Sequence, residues 1–213
     1  MSDILFPTQK EYLENFRTKD NPLISEMEEY ARDNGVPILN WDSAEFLETL
    51  IKITSPKRVL EIGMAIAYSS IRIAKNLKKK AVIHTIEKSE DNINIAKGYI
   101  EKSGLQDKIV IMEGNALTVM LQLDKKYDFI FLDADKEDYK RLFDYSLIML
   151  KKGGVIFVDN LLWHGYAANK RVPAKYKIST NHIREFNNMF TSQKSLKTTI
   201  LPIGDGIGLG IKI

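Results

Sequence analysis

Along the chain, the apolar positions follow two successive patterns. Before Arg58 they recur at helical spacing, as in Phe46, Leu47, Leu50 and Ile51, and Asp42 with Glu45 three residues on reads as a capping box for that helix. From Arg58 onward, short apolar runs at Val59–Ile62, Ala81–Ile86, Ile109–Met112, Phe129–Leu132 and Val155–Val158 alternate with stretches long enough for crossover helices. That alternation predicts a parallel sheet. Two last runs, Thr198–Leu201 and Gly208–Ile211, flank the glycine-rich Pro202–Ile207 segment and predict an antiparallel hairpin at the sheet edge. The expected fold class is α/β. It is a doubly wound, Rossmann-like, seven-stranded and mostly parallel sheet with a C-terminal antiparallel hairpin. A helical N-terminal flank, 1–57, precedes the core, 58–213. No repeat or linker interrupts the chain, so one domain is expected.

In such sheets ligands gather at the carboxyl ends of the strands, and here each predicted end is polar or glycine: Glu61-Ile62-Gly63, Glu87, Glu113-Gly114-Asn115, Asp133-Ala134-Asp135-Lys136 and Asp159-Asn160. Gly63 permits close backbone approach to a ligand; taken alone it is equally a tight turn. The turn is not GxGxxG, so the usual pyrophosphate cradle of a dinucleotide site is missing. Glu61 suits a cationic amino acid better than a phosphate. Glu87, after the second strand, stands where nucleotide-binding sheets place an acid for the ribose hydroxyls. Asp133, Asp159 and Asn160 end two strands expected to be neighbours, and two carboxylates with an amide carbonyl offer hard oxygens to a divalent cation. Singly, each such acid would be a helix cap or a solvated loop residue. Lys136, one turn beyond Asp133, is a candidate base or electrostatic guide, against the plain alternative of a surface charge.

Composition narrows the chemistry. The 213 residues, 44% hydrophobic and 28% charged, are those of an ordinary globular protein. The chain has no cysteine, which excludes disulfides, thiolate zinc sites and thiol nucleophiles and leaves magnesium or calcium as the natural metals. His84, His164 and His182 are too scattered for a zinc site, and His84, inside a strand, reads as structural. No apolar run approaches the roughly 20 residues of a membrane span, and the segment MSDILFPTQKEYLENF lacks a basic region followed by an apolar one. A cytoplasmic protein without membrane contact is expected. The net charge of +3 is small, but Trp163 to Lys177 carries Lys170, Arg171, Lys175 and Lys177 with no acid, interleaved with Trp163, Tyr166 and Tyr176. That composition suits nucleic acid as well as a solvated loop.

The segments VLEIGMAIAYS, FIFLDADKEDY, GGVIFVDNLLWHG and LPIGDGIGL, in this order, resemble those of the cation-dependent O-methyltransferases, the group containing catechol and caffeoyl-CoA O-methyltransferases. The resemblance runs from about Leu39 to the carboxyl terminus. It implies S-adenosylmethionine and Mg2+, or another divalent cation, as cofactors. By position it gives the methionine end of the cofactor to Glu61, Gly63 and Ser69 with backbone contact from Leu39, the ribose to Glu87, and the adenine to Asn115 and Ala116. It gives the metal to Asp133, Asp159 and Asn160, with Asp133 also beside the cofactor, and makes Lys136 the base. Ala67 departs from the family's usual glycine and places a methyl near the cofactor turn; Asn115 stands for a common aspartate. Within the family the chain looks most like bacterial tRNA 5-hydroxyuridine methyltransferases, which implies tRNA as partner, a small catechol or acyl-CoA acceptor being the alternative. The family resemblance also implies a homodimer, with the helical flank as a place for its interface. A nicotinamide oxidoreductase is disfavoured by the missing glycines, and an inactive RNA-binding module by the intact Asp133, Asp159, Asn160 and Lys136 set.

Overall fold

The computed structural model describes residues 5–17 and 21–213; the first four residues of the amino-terminal segment read above lie outside them. Three helices come first, α1 (Pro7–Glu14), α2 (Pro22–Asn34) and α3 (Trp41–Thr54). Strands and helices then alternate: β1 (Arg58–Ile62), α4 (Tyr68–Asn76), β2 (Val82–Glu87), α5 (Glu90–Ser103), β3 (Ile109–Glu113), α6 (Ala116–Leu121), β4 (Tyr127–Leu132), α7 (Tyr139–Met149) and β5 (Leu150–Val158). Helix α8 (Lys177–Thr191) leads to β6 (Leu196–Leu201) and β7 (Ile207–Lys212). The strands form one seven-stranded sheet in the order β3-β2-β1-β4-β5-β7-β6. Every pairing from β3 to β5 is parallel, and β7 pairs antiparallel with both β5 and β6. The strand order reverses between β1 and β4, which opens the crevice where a doubly wound sheet takes its ligand.

Alternate strand residues feed two apolar layers, because side chains point to opposite faces with period two. Val59, Phe129, Phe131 and Phe157 face Leu47, Ile51, Ile71 and Ile93 of α3, α4 and α5. Leu60, Ile130 and Ile156 face Leu142, Phe143, Phe186 and Phe190 of α7 and α8. With both faces covered, the strands are free to end in polar residues only at their tips.

The start of α3 differs from the sequence expectation. Its N-cap is Asn40, which makes no side-chain cap bond, so Asp42 lies inside the first turn and the Asp42–Glu45 capping box does not form. Asp42 is instead committed elsewhere: Oδ1 accepts from Ser43 N at 2.8 Å and Oδ2 from Gly204 N, in the β6–β7 turn, at 3.0 Å. A long-range partner outcompetes the local cap. No helix among the described residues is long and apolar enough to cross a membrane.

Candidate active site

The carboxyl ends of β1, β2, β3, β4 and β5 surround a cleft of about 490 Å3 whose lining includes Gly63, Glu87, Asn115, Ala116, Asp133, Lys136, Asp159 and Asn160. Its floor is the β1 turn. Gly63 has φ 99°, and a Cβ there would overlap the carbonyl oxygen of Asp133, so only glycine lets β1 and β4 close this corner. Gly63 N and Met64 N both donate to Ile86 O at 3.1 Å, tying the turn to β2. Glu87 is held by three backbone amides: Oε2 accepts from Ala65 N at 2.9 Å, and Oε1 from Lys88 N at 2.9 Å and Ser89 N at 2.8 Å. Its carboxylate is thereby fixed at the cleft wall, where it can accept from vicinal hydroxyls.

Glu61 and Ser69 are absent from the lining. Glu61 is fully buried beneath the floor, accepting from Ser69 Oγ at 2.6 Å, Thr85 Oγ1 at 2.5 Å and Ser70 Oγ. Burial pushes its carboxyl up to about 7, against the pull of those three hydroxyls. Leu39 is buried as well, while its neighbours Pro37 and Ile38 line the cleft.

On the opposite wall the predicted oxygen set converges. Lys136 Nζ donates to Asp133 Oδ1 at 3.1 Å and to Asn160 Oδ1 at 2.6 Å, and Asn160 Nδ2 donates to Asp159 Oδ2 at 3.1 Å. Asp159 is 2% exposed, and its Oδ1 is buried without a hydrogen-bond partner. Burial, then the nearby Asp133 charge, raise the Asp159 carboxyl well above its ordinary range, with Lys136 opposing. Tyr139, fully buried, holds Lys136: its hydroxyl meets Nζ at 2.5 Å and donates to Asp159 O at 3.1 Å. The Lys136 ammonium also lies 4.5 Å over the Tyr139 ring and 5.5 Å over Trp163, contacts that favour a cation. No group of three or more His, Cys, Asp or Glu occurs among the described residues; the third oxygen here is an amide.

Beyond β5 the chain makes the acceptor-side wall. Trp163 and His164 line it, and Tyr166 and Tyr176 stack on each other at 5.2 Å behind His164. Apart from Ser55, the non-glycine residues with positive φ among those described are all near the cleft: Ala65, Ala67, Asn160, Trp163 and His164. Such strain persists where surrounding structure over-determines it, and it clusters at functional sites.

The family model for O-methyltransferases matches residues 14–213. The chain belongs to the O-methyltransferase family. Caffeoyl-CoA O-methyltransferase of Populus kitakamiensis is 35% identical over 176 residues, 79% of this chain and 75% of the relative. Tapetum-specific methyltransferase 1 of Arabidopsis thaliana is 29% identical over 98% of this chain and 89% of its own length. A Staphylococcus aureus protein provisionally assigned as a caffeoyl-CoA O-methyltransferase superposes with a TM-score of 0.90 at 31% identity, covering 97% of this chain and all of that one. An O-methyltransferase from Bacillus cereus, solved with S-adenosylhomocysteine, superposes at 0.84 with 25% identity over 95% and 96% of the two chains. The chain is thus an S-adenosylmethionine-dependent O-methyltransferase of the caffeoyl-CoA type.

The two departures from the family pattern have structural readings. Ala67 is the left-handed N-cap of α4, with φ 69°, and its methyl is fully buried in the core and absent from the cleft lining. The expected methyl near the cofactor is therefore corrected: the burden of Ala67 is backbone strain, which glycine avoids. Asn115 is the N-cap of α6 and accepts from Leu117 N at 2.9 Å, a task asparagine performs as well as aspartate. The sequence reading missed Tyr139, Asp205, and His164 as a cleft residue. Asp205 Oδ1 accepts from His164 N at 2.6 Å and so anchors the acceptor-side wall. The glycines around Asp205 were its visible signal.

Proposed function

We propose that this O-methyltransferase uses a divalent cation, with Mg2+ the first candidate, and methylates 5-hydroxyuridine at the tRNA wobble position to 5-methoxyuridine. One observation carries the cation: Asp133 Oδ1 and Asn160 Oδ1 converge on a single ammonium, beside an Asp159 oxygen that is buried and unpartnered. A buried carboxylate oxygen without a donor is costly, and two carboxylates with an amide carbonyl fit a hard cation. Asp133, Asp159 and Asn160 would hold it, where it supplies charge that acidifies an acceptor hydroxyl. The cleft at Gly63, Glu87 and Asn115 fits a nucleoside-bearing methyl donor: Glu87 accepts from its ribose, and the Gly63 turn lets the donor approach the backbone. Lys136, within reach of Asp133 and Asn160, takes the acceptor proton on Nζ, and Tyr139 keeps that nitrogen aimed. Trp163 and His164 exclude water from one side of the acceptor.

The tRNA reading draws on Lys170, Arg171, Lys175 and Lys177, all exposed on the segment that continues the acceptor-side wall, where phosphates of a polynucleotide would lie. A homodimer belongs to the same reading, with exposed Phe6, Tyr12 and Phe16 near α1 as its apolar contact. A small catechol or acyl-CoA acceptor is the second reading, favoured by the plant caffeoyl-CoA relatives. Nucleoside mass spectrometry of tRNA from cells lacking this gene separates them: 5-methoxyuridine disappears if the first is right and is unchanged if the second is. For the cation, thorough chelation and Asp159→Ala should each abolish most turnover while S-adenosylmethionine affinity survives. Full turnover after chelation would end the metal-centred reading.

A further inference from the structure

The end of the sheet opposite the cleft carries a dense run of positive charge. Lys57 precedes β1, Lys78, Lys79 and Lys80 precede β2, and Lys151 and Lys152 belong to a bulge that interrupts the start of β5 against β4. Hydrogen bonds join these loops into one rim: Val82 N donates to Lys57 O at 3.1 Å, Lys57 N and Arg58 N to Asp128 Oδ2 at 3.0 and 2.9 Å, and Lys151 Nζ to Asp128 Oδ1 at 2.7 Å. The rim thus crosses β2, β1, β4 and β5, three interstrand gaps or roughly 14 Å. A cavity of about 300 Å3 opens in it, lined by Ser55, Lys57, Lys151, Lys152 and Gly153 among others.

Cations are expected at this end because α4 and α7 finish here and helix C-termini favour positive charge. That explains a different set of lysines. Lys108 Nζ donates to Ala74 O and Leu77 O, Lys126 Nζ to Ile148 O, and Lys212 Nζ to Leu147 O and Leu150 O. Lys57, Lys78, Lys79, Lys80 and Lys152 are exposed and have no hydrogen bond or ion pair from their ammonium groups among the described residues. Asp128, the acid at the centre of the rim, is already taken by Lys151 and two amides. The catalytic cleft has the reverse balance, Glu87, Asp133, Asp135, Asp138 and Asp159 against Lys88 and Lys136. A polyanion approaching this molecule meets its favourable potential at the rim, away from the reacting groups.

We propose that this rim is a second binding surface, separate from the catalytic cleft, for the phosphate backbone of RNA. A row of about 14 Å spans about four phosphates of one strand at 3.4 Å each. The row leads into a concave cavity, a shape that follows a strand and meets a planar lipid surface only at its crest. The proposal goes beyond the acceptor assignment, since it holds for either acceptor.

The test is fluorescence anisotropy of a labelled, unstructured RNA oligonucleotide between about 50 and 200 mM salt, with wild type and a Lys57→Gln/Lys79→Gln/Lys80→Gln/Lys152→Gln variant whose folding is checked by its melting temperature. Losing four phosphate contacts should flatten the slope of log affinity against log salt by about 3, at ~0.7 per contact on a single strand. S-adenosylmethionine affinity should be the same in both proteins. An unchanged slope overturns the proposal. So does a slope that falls only when Lys170, Arg171, Lys175 and Lys177 are replaced, which would place the RNA at the cleft mouth alone. Rim-dependent sedimentation with phosphatidylserine vesicles, with RNA binding unaltered, would make the surface a membrane face and overturn it equally.

Discussion

Gly63 has the least freedom of any residue at the cleft. Its φ of 99° and the Asp133 carbonyl pressed against the space of its missing Cβ make two separate demands, one of strain and one of overlap. Gly63→Ala should therefore cost at least about 2 kcal/mol of stability and displace the end of β4, so that cofactor affinity falls with it. Calorimetric melting with cofactor titration reads both; a fully stable variant with native affinity would mean that the corner yields more than its packing allows. Lys136 poses a functional question. If Nζ takes the acceptor proton, Lys136→Ala should lose rate mainly at low pH and partly recover as the acceptor ionises by itself. The same fractional loss at every pH would make Lys136 an electrostatic group. Which of these residues face the cleft was only partly legible from the sequence. Strand-end position places Glu61 and Glu87 alike, yet Glu61 lies inside β1 with a buried neighbour on each side, whereas Glu87 is the last residue of β2 and can turn outward.

At the scale of elements, the strands were legible because each is a short run of branched and aromatic residues bounded by polar ones, and all seven appear in the sheet. Their boundaries were less so. β5 begins at Leu150, which pairs with Tyr127, but Lys151, Lys152, Gly153 and Gly154 then bulge before Val155 rejoins the ladder, and four such residues hide a strand from any hydrophobic pattern. The misread start of α3 has the same origin, a partner distant in sequence. Asp42 joins α3 to the β6–β7 turn, and that turn holds the acceptor-side wall: Leu161 N donates to Gly206 O at 2.8 Å, Leu162 N to Asp205 O at 2.9 Å and His164 N to Asp205 Oδ1 at 2.6 Å. Asp42→Ala should cost about 1.5–3 kcal/mol, the range for hydrogen bonds to a charged group. Amide exchange should quicken at Gly204 and Gly206, and KM for the acceptor should rise more than that for the cofactor. Unaltered exchange in the turn would confine Asp42 to local support of its own helix.

Over the whole molecule, acids gather at one end of the sheet and uncompensated lysines at the other, and the acidic end sets how stability responds to pH. Glu61 is the clearest contributor, with its carboxyl raised from 4.5 to about 7 by burial. The folded chain therefore keeps that proton to higher pH than the unfolded chain does. Between about 4.5 and 7 the native state binds more protons, so stability falls as pH rises through this window and stays lower above it. A shift of this size is on the order of 3 kcal/mol. Asp159 and Asp205 are raised in the same direction, so their share of the decline begins lower, above 3.8. His84 acts oppositely: burial lowers its pKa below 6.5, and stability is lost as pH falls through that region. The Glu61 share is isolated by comparing wild type with Glu61→Gln, which keeps the shape of the side chain and lets the hydroxyls of Ser69, Ser70 and Thr85 rotate to meet an amide. Urea unfolding from pH 5 to 8, without ligands, should show the wild type losing stability that the variant keeps. Parallel curves would mean that Glu61 is ionised throughout in the folded chain, held as an anion by its three hydroxyls against the burial that opposes it.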